Sequence, residues 1–455
     1  MSTIERQVHS QPARSGSLRG YPVVPESGLL PVRGDQIGGD RYWARDFMER
    51  EWQQMWTRVW HVGGRLSEIP EPGDYVVHNL RYESVVIVRQ ADGGVRAFYN
   101  VCQHRGNRLV WAASGAVNDA LTCAYHGWKW GLDGALLAVQ DPDDFAAGDP
   151  CGQLQLSEVR CDTWGGFVWY NMDPAAGSLA DFLYPVPQLM AGRGLEALTR
   201  VVWRTTKVRT NWKFSPDNFN ESYHLPAVHP QLQEVVDEDY RNTVFEMYAN
   251  GHNRMIEQGQ PSLRARKPND VEPGWQYQLE EWGLDPRDFA GRARAGRVAL
   301  QQQKRSLGAA RGYHYFDRLH DDELTDYFHH TLFPNVTLTG TPDGVHFFRT
   351  EPDAEDPEYC TFDYWYFVPP VEGRTEVPTI YGMRPCAEAE HEALVFGAAG
   401  SEHHLGDFVA QDLGVAEAQQ QGFRSRGFRQ AHLSGQESRV RRFHEVLNDY
   451  LEGRR

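Results

Sequence analysis

Four residues stand closest to chemistry. Cys102 and His104 share one short run, and Cys123 and His126 share another, separated by residues 105–122. Two thiolates and two imidazoles closing on one centre form a metal donor set. Tetrahedral zinc accepts that set. So does a [2Fe–2S] cluster of the Rieske type, in which two His replace two Cys on one iron and raise its potential. In zinc fingers the two His follow the two Cys, whereas the order here is Cys, His, Cys, His. Gly106 and Gly127 follow each run closely and allow the chain to turn sharply over a bound group. The remaining Cys151, Cys161, Cys360 and Cys386 lack such neighbours and read as ordinary reduced thiols.

A second constellation begins at Asn211 and ends at His229. A helix over about 211–224 would place Asp217, Glu221 and His224 on one face, with Trp212, Phe219 and Tyr223 on a packed face. In an unbroken helix His224 and His229 would point about 140° apart and sit about 7.5 Å apart along the axis. Pro226 lies between them and is expected to let the chain double back. Two His on a broken helix suit two positions of a 2-His-1-carboxylate site, the centre of non-haem Fe(II) oxygen chemistry. The third ligand should be a buried acid far downstream. A helix from about Glu402 to Gln421 carries an apolar stripe of Leu405, Phe408, Val409, Val415 and Ala416. Asp412 falls inside that stripe and Asp407 outside it. A lone buried Asp is costly unless it is paired or binds a metal, which makes Asp412 the candidate. Following the helix phase around these ligands, Asn218, Phe219, Ser222 and Leu225 are the candidates for a substrate pocket, and Phe219 and Leu225 favour an apolar occupant.

These residues need elements to hold them. Trp43, Phe47, Trp52, Met55, Trp56 and Trp60 recur at helical spacing. From Gly73 the period changes to two, with strands expected over 74–80, 84–89, 95–100 and 166–171. Further strands are expected over 201–208, 335–339, 345–350 and 359–368. Residues 231–330 are polar and read as helices and a long excursion. The domains expected are an arm over 1–42, a β domain over 43–172, and a second domain over 173–455. At 455 residues, with 40% hydrophobic and 12% aromatic content, a large packed core is expected. The net charge of −16 argues against nucleic acid or an anionic membrane as the main partner. No leader-like apolar segment and no run of about 20 apolar residues is present, which predicts a cytoplasmic protein without a membrane span.

The run Cys102-Gln103-His104-Arg105-Gly106 with Cys123-Ala124-Tyr125-His126-Gly127-Trp128 resembles the Rieske signature of non-haem iron ring-hydroxylating oxygenases. Gln411-Asp412, followed by Gln419 and Gly422, is similar to the segment that ends their catalytic domains, with Gln411 standing where a Glu is usual. The resemblance implies an α+β chain: an all-β Rieske [2Fe–2S] domain, then a helix-grip antiparallel-sheet catalytic domain with mononuclear iron. It implies that Cys102 and Cys123 hold the inner cluster iron and His104 and His126 the outer one, with Fe(II) on His224, His229 and Asp412. It further implies a homotrimer, with or without a small β subunit, in which Glu221 links His224 to His126 of the neighbouring subunit.

The function expected is that of a large, catalytic oxygenase subunit acting with O2 on a small organic substrate. No nucleotide-binding fingerprint is present, so electrons from NAD(P)H must arrive through a ferredoxin, a flavin reductase or both. Chain length and the 231–330 excursion favour cis-dihydroxylation of an aromatic substrate. Glu at position 221 leans toward the alternative, a monooxygenase that demethylates a methylated amine. Two readings of other classes are a Rieske electron carrier without oxygenase activity and a zinc-stabilised interaction protein.

Overall fold

The computed structural model describes residues 20–379, 382–397 and 407–455. The chain forms two compact units: Arg50–Tyr184, and Pro185–Arg455 together with the described residues before Arg50. A helix over Arg45–Glu51 continues as a π turn over Trp52–Trp56. Residues 1–19 of the expected arm lie outside the described residues.

The smaller unit is built from β1 (His61–Arg65), β2 (Asp74–Leu80), β3 (Glu83–Arg89), β4 (Val95–Tyr99), β5 (Ser114–Ala116), β6 (Ala120–Thr122), β7 (Lys129–Gly131), β8 (Leu136–Ala138), β9 (Glu158–Trp164) and β10 (Phe167–Asn171). Among the described residues they form a seven-stranded sheet ordered β1-β10-β9-β4-β3-β2-β5 and a three-stranded sheet ordered β6-β7-β8. Strand β3 shows why the unit needs two layers. Its side chains alternate between faces, and all four of Val85, Val86, Ile87 and Val88 are buried. Val85 and Ile87 pack with Ile69, Val159 and Tyr170. Val86 and Val88 pack with Leu121, Trp130 and Leu136 of the small sheet, and with Cys102 and Cys123. Each such aliphatic side chain contributes about 1.5–3 kcal/mol on burial, so the layer that carries the two Cys loops is anchored by apolar packing.

The larger unit contains β11 (Thr199–Val208), β12 (Val244–Met247), β13 (Asn253–Glu257), β14 (Tyr327–Leu332), β15 (Val336–Thr341), β16 (Gly344–Pro352), β17 (Cys360–Val368), β18 (Glu376–Thr379), β19 (Gly382–Pro385) and β20 (Glu392–Val395). Eight of these form one sheet among the described residues, ordered β12-β13-β14-β15-β16-β17-β11-β20. It is antiparallel except for the β11–β20 edge. The helices that matter for the site are α1 (Phe214–Phe219), α2 (Leu225–Val228), α3 (Asp407–Phe423) and α4 (Ser438–Leu451).

Three expectations are corrected. Residues 231–330 contribute β12, β13 and the start of β14, and are not only helices and excursion. Their polar residues hide the signal because they are paired inside the fold, as with Arg254 and Glu246 at 2.7 Å, both fully buried. The helix expected over 211–224 is present only as α1, and α2 begins beyond it. α1 stops at Phe219, and Pro226 sits in the first turn of α2, where its missing N–H costs nothing. Tyr223, expected to pack, is 51% exposed in the segment between them. In α3 the buried stripe is Val409, Asp412, Leu413, Ala416 and Gln420, while Val415 is exposed. Leu405 lies outside the described residues.

Candidate active site

The two Cys loops repeat one backbone design. Cys102 N–H donates to Asn107 O (2.8 Å) and Gly106 N–H to Cys102 O (3.0 Å). In the second loop Cys123 N–H donates to Trp128 O and Gly127 N–H to Cys123 O, each at 2.9 Å. Gly106 and Gly127 both adopt positive φ, +75° and +69°, a conformation that side chains with a Cβ rarely tolerate. Cys102 and Cys123 are 1% and 2% exposed, whereas His104 and His126 are partly exposed. The His104 and His126 rings lie 4.6 Å apart, and His104 stacks on Trp128 at 4.5 Å. His126 Nδ1 is buried and has no hydrogen-bond partner among the described residues. A ring nitrogen without a protein partner, in a loop that also carries a buried thiol, is a donor available to the iron of such a cluster. Burial pushes the Cys102 thiol up from its ordinary value. Burial would also raise Cys123, but backbone amides of Tyr125 and His126 and the Asn107 amide outweigh it and hold that thiol low. N–H groups that favour thiolate suit a ligand sulfur. The donor set fits a [2Fe–2S] cluster.

In the larger unit, His224, His229 and Asp412 come together, with one ligand atom from each lying within 4.8 Å of the others. His229 Nε2 is 2.8 Å and His224 Nε2 3.7 Å from Asp412 Oδ1. The two His flank the single turn α2. His229 leaves helical geometry at φ −127°, ψ 53°, and the chain does not double back at Pro226. Each imidazole is held from behind. His224 Nδ1 donates to Glu221 Oε1 at 2.7 Å, and the His224 amide to Glu221 Oε2 at 3.1 Å. His229 Nδ1 donates to Gln411 Oε1, also at 2.7 Å. A proton fixed on both Nδ1 atoms leaves both Nε2 lone pairs facing Asp412, the arrangement a metal needs. Burial alone would lower the pKa of His224, but Glu221, with help from Asp412 and Glu257, raises it above its ordinary value. The set fits an Fe(II) site of the two-His, one-carboxylate type. Asp217 does not share this role. It accepts from Tyr42 Oη (2.6 Å) and pairs with His444 Nε2 (2.9 Å).

A cavity of about 250 Å³ adjoins the triad. Asn218, Phe219, Ser222 and Leu225 all line it. Its sheet wall follows the two-residue period across four adjacent strands: Met255 and Glu257 of β13, Tyr327 and His329 of β14, Thr339 and Thr341 of β15, His346 and Phe348 of β16. The ladder pairs Met255 with His329, His329 with Thr339, and Thr339 with His346, so these side chains share one face. Phe219 stacks on Phe348 at 4.3 Å. Burial pushes the His346 imidazole down to about 3. Sequence reasoning missed the sheet wall and Gln411. Met255, Glu257, Tyr327 and His329 lie on β13 and β14, whose alternation was unreadable; β15 and β16 were expected as strands, but which of their faces lines the cavity was not. Gln411 had a signal, its place beside Asp412.

Residues 195–453, more than half the chain, match the family model described as "Ring hydroxylating alpha subunit (catalytic domain)", and residues 59–148 match "Rieske [2Fe-2S] domain". The carnitine monooxygenase oxygenase subunit of Escherichia coli K12 is 36% identical over 48% of this chain and 58% of that protein. The large oxygenase component of a Pseudomonas aeruginosa naphthalene 1,2-dioxygenase system is 34% identical over 46% of each. The matches thus span about half the length of these relatives. The fold is that of the quaternary ammonium Rieske monooxygenase CntA solved with L-carnitine, at TM-score 0.64 and 19% identity over 91% of this chain and 95% of that one. On the matched families, this chain belongs to the ring-hydroxylating oxygenase alpha subunits, with a Rieske domain ahead of the catalytic domain.

Proposed function

We propose that this chain is a terminal oxygenase that takes O2, and electrons from NAD(P)H delivered through a ferredoxin, a flavin reductase or both, and hydroxylates a small organic substrate. The observation that carries the reading is the second donor set. A carrier of electrons needs the Cys102, His104, Cys123 and His126 loops alone. It has no use for His224, His229 and Asp412 gathered beside a cavity.

Bound iron would supply O2 activation, with electrons passed on from the cluster. The chain's own residues do the rest. Glu221 and Gln411 fix the tautomers of His224 and His229. Three protein ligands leave coordination positions open. Phe219, Leu225, Phe348 and Phe408 present apolar surface that excludes water and places the substrate. A cavity of about 250 Å³ suits a small molecule.

Two outcomes of this chemistry have support. The apolar aromatic lining and the naphthalene dioxygenase relative favour cis-dihydroxylation of an aromatic ring. The carnitine monooxygenase relative, and Glu at position 221, favour monooxygenation of a methylated amine. The assembly proposed is a homotrimer, with Glu221 joining His224 to His126 of the partner subunit; a small β subunit would show as a second band on purification. No helix among the described residues is long and apolar enough to cross a membrane.

Iron and sulfide counting together with O2 uptake tests the reading. About three irons and two sulfides per chain are expected, from one cluster and one mononuclear site. O2 uptake should follow substrate in the reconstituted system, and product analysis separates diol from aldehyde. Two irons with no substrate-dependent uptake would mean an electron carrier, and a colourless zinc protein would overturn both.

A further inference from the structure

The sheet wall of the cavity carries one carboxylate that the metal centre does not use. Glu257 ends β13 and is 2% exposed. Its Oε2 lies 3.2 Å from His329 Nε2, and its Oε1 is buried with no hydrogen-bond partner among the described residues. His329 is itself oriented, with Nδ1 at 3.0 Å from Thr339 Oγ1. With Thr339 donating to Nδ1, the ring presents Nε2–H to Glu257 Oε2, so the pair orients the carboxylate. Leaving a buried charged oxygen unsatisfied is expensive.

The charges around Glu257 point the same way. Among the described residues the cavity is lined by the carboxylates of Glu221, Glu257 and Asp412, and by no Lys or Arg. An iron(II) held by Asp412 and two neutral His would still leave the lining net negative. A cation near Glu257 outside the lining is Arg439 of α4. It bonds Asn253 Oδ1 at 2.6 Å, and burial lowers its pKa to about 9. The rest of the lining is rich in ring faces: Phe219, Tyr327, Phe348 and Phe408. A carboxylate among aromatic faces is the recognition chemistry of a bulky, weakly hydrated cation, which sheds its water easily and meets both the charge and the rings.

We propose that Glu257, positioned by His329 and Thr339, is the counter-charge that selects a quaternary ammonium substrate over a neutral molecule of the same shape. The proposal rests on the oxygenase reading above and names its substrate class. A neutral aromatic ring of similar size would leave the carboxylate of Glu257 without a counter-charge in the cavity.

The test is binding, not turnover. Choline and 3,3-dimethylbutan-1-ol differ in a nitrogen for a carbon, and hence in charge but not in shape. Calorimetry on the iron-loaded holoenzyme should show choline bound at least tenfold more tightly than the alcohol. Glu257→Gln should bring the two affinities within about threefold, by weakening choline and not the alcohol. If Glu257→Gln fails to fold, the wild-type ratio still decides. Equal affinities, or tighter binding of the alcohol, in a wild-type enzyme with full iron and substrate-dependent O2 uptake would overturn the proposal and leave the oxygenase intact. Retention of the choline preference in folded Glu257→Gln would overturn the role of Glu257. Absence of the mononuclear iron would sink the oxygenase reading by a different measurement.

Discussion

Replacing Glu221 with Gln separates the two jobs given to that carboxylate. Glu221 accepts two hydrogen bonds from one residue: His224 Nδ1–H at 2.7 Å, and the His224 amide at 3.1 Å. A Gln of the same shape has one oxygen and one NH2 to offer. It can accept one of these bonds, and its NH2 must then face the other donor. The loss is one hydrogen bond to a charged group, worth about 1.5–3 kcal/mol. At about 1.4 kcal/mol per decade that weakens the site roughly 10- to 150-fold, in line with the 10- to 100-fold effects typical of residues that orient metal ligands. Iron(II) affinity should fall by that factor when measured by competition with a chelator of known strength. The cluster should be unaffected, so colour and sulfide content stay at wild-type values. With the mononuclear site saturated by added iron, turnover should still be strongly reduced, because the proposed path between subunits runs through the same carboxylate. Wild-type iron affinity would refute the orienting role. Wild-type turnover at full iron would refute the electron-transfer role and leave the first standing.

Cys123→Ser should abolish the red-brown colour and both sulfides while mononuclear iron still binds; loss of all iron would mean the two centres do not fold independently. Gln411→Leu should weaken iron(II) binding about tenfold by freeing the His229 ring, and unchanged affinity would show that the 2.7 Å contact has no weight. Leu413→Ala should cost about 2–5 kcal/mol in urea unfolding and Val415→Ala under about 0.5 kcal/mol, since Leu413 is 1% and Val415 43% exposed; equal effects would refute the stripe described for α3. Burial holds His330 well below its ordinary value, His346 at about 3, and His444 low as well. Below about pH 6.5 the unfolded chain therefore binds protons that the folded chain refuses, and stability should fall as pH drops, by up to about 1.4 kcal/mol per unit for each histidine. An unfolding temperature that does not fall between about pH 7.5 and 5.5 would contradict the neutral, buried state of these rings.

What the sequence made legible was the rare chemistry and the regular periods. Cys and His at fixed spacing mark a centre because few other causes put them there. The strands over Asp74–Leu80 and Cys360–Val368 announced themselves through alternation or bulk. Elsewhere the pattern was silent for physical reasons. β13 reads Asn253, Arg254, Met255, Ile256, Glu257, and each polar residue in it is buried because it meets a partner from another element, or faces the cavity. Burial of charge depends on tertiary pairing, which period-counting cannot see. The break before α2 was placed at Pro226, whereas proline suits a first helical turn and the chain leaves α1 earlier, at Asn220. In α3 the expected stripe took in Val415 and left out Leu413, but Val409, Asp412 and Ala416 lie on the buried side as expected.

The matched backbone of the two Cys loops bears on how the cluster arrives. Each loop closes with its own main-chain hydrogen bonds and a left-handed glycine, and the layer beneath is fastened by Val86, Val88, Trp130 and Leu136. The ordering entropy of the ligands is therefore met during folding and not at metal uptake. Small zinc modules collapse when stripped because their metal supplies the folding energy. Here the emptied domain should stand as a receptacle, able to lose a cluster to oxidation and be refilled without passing through an unfolded chain.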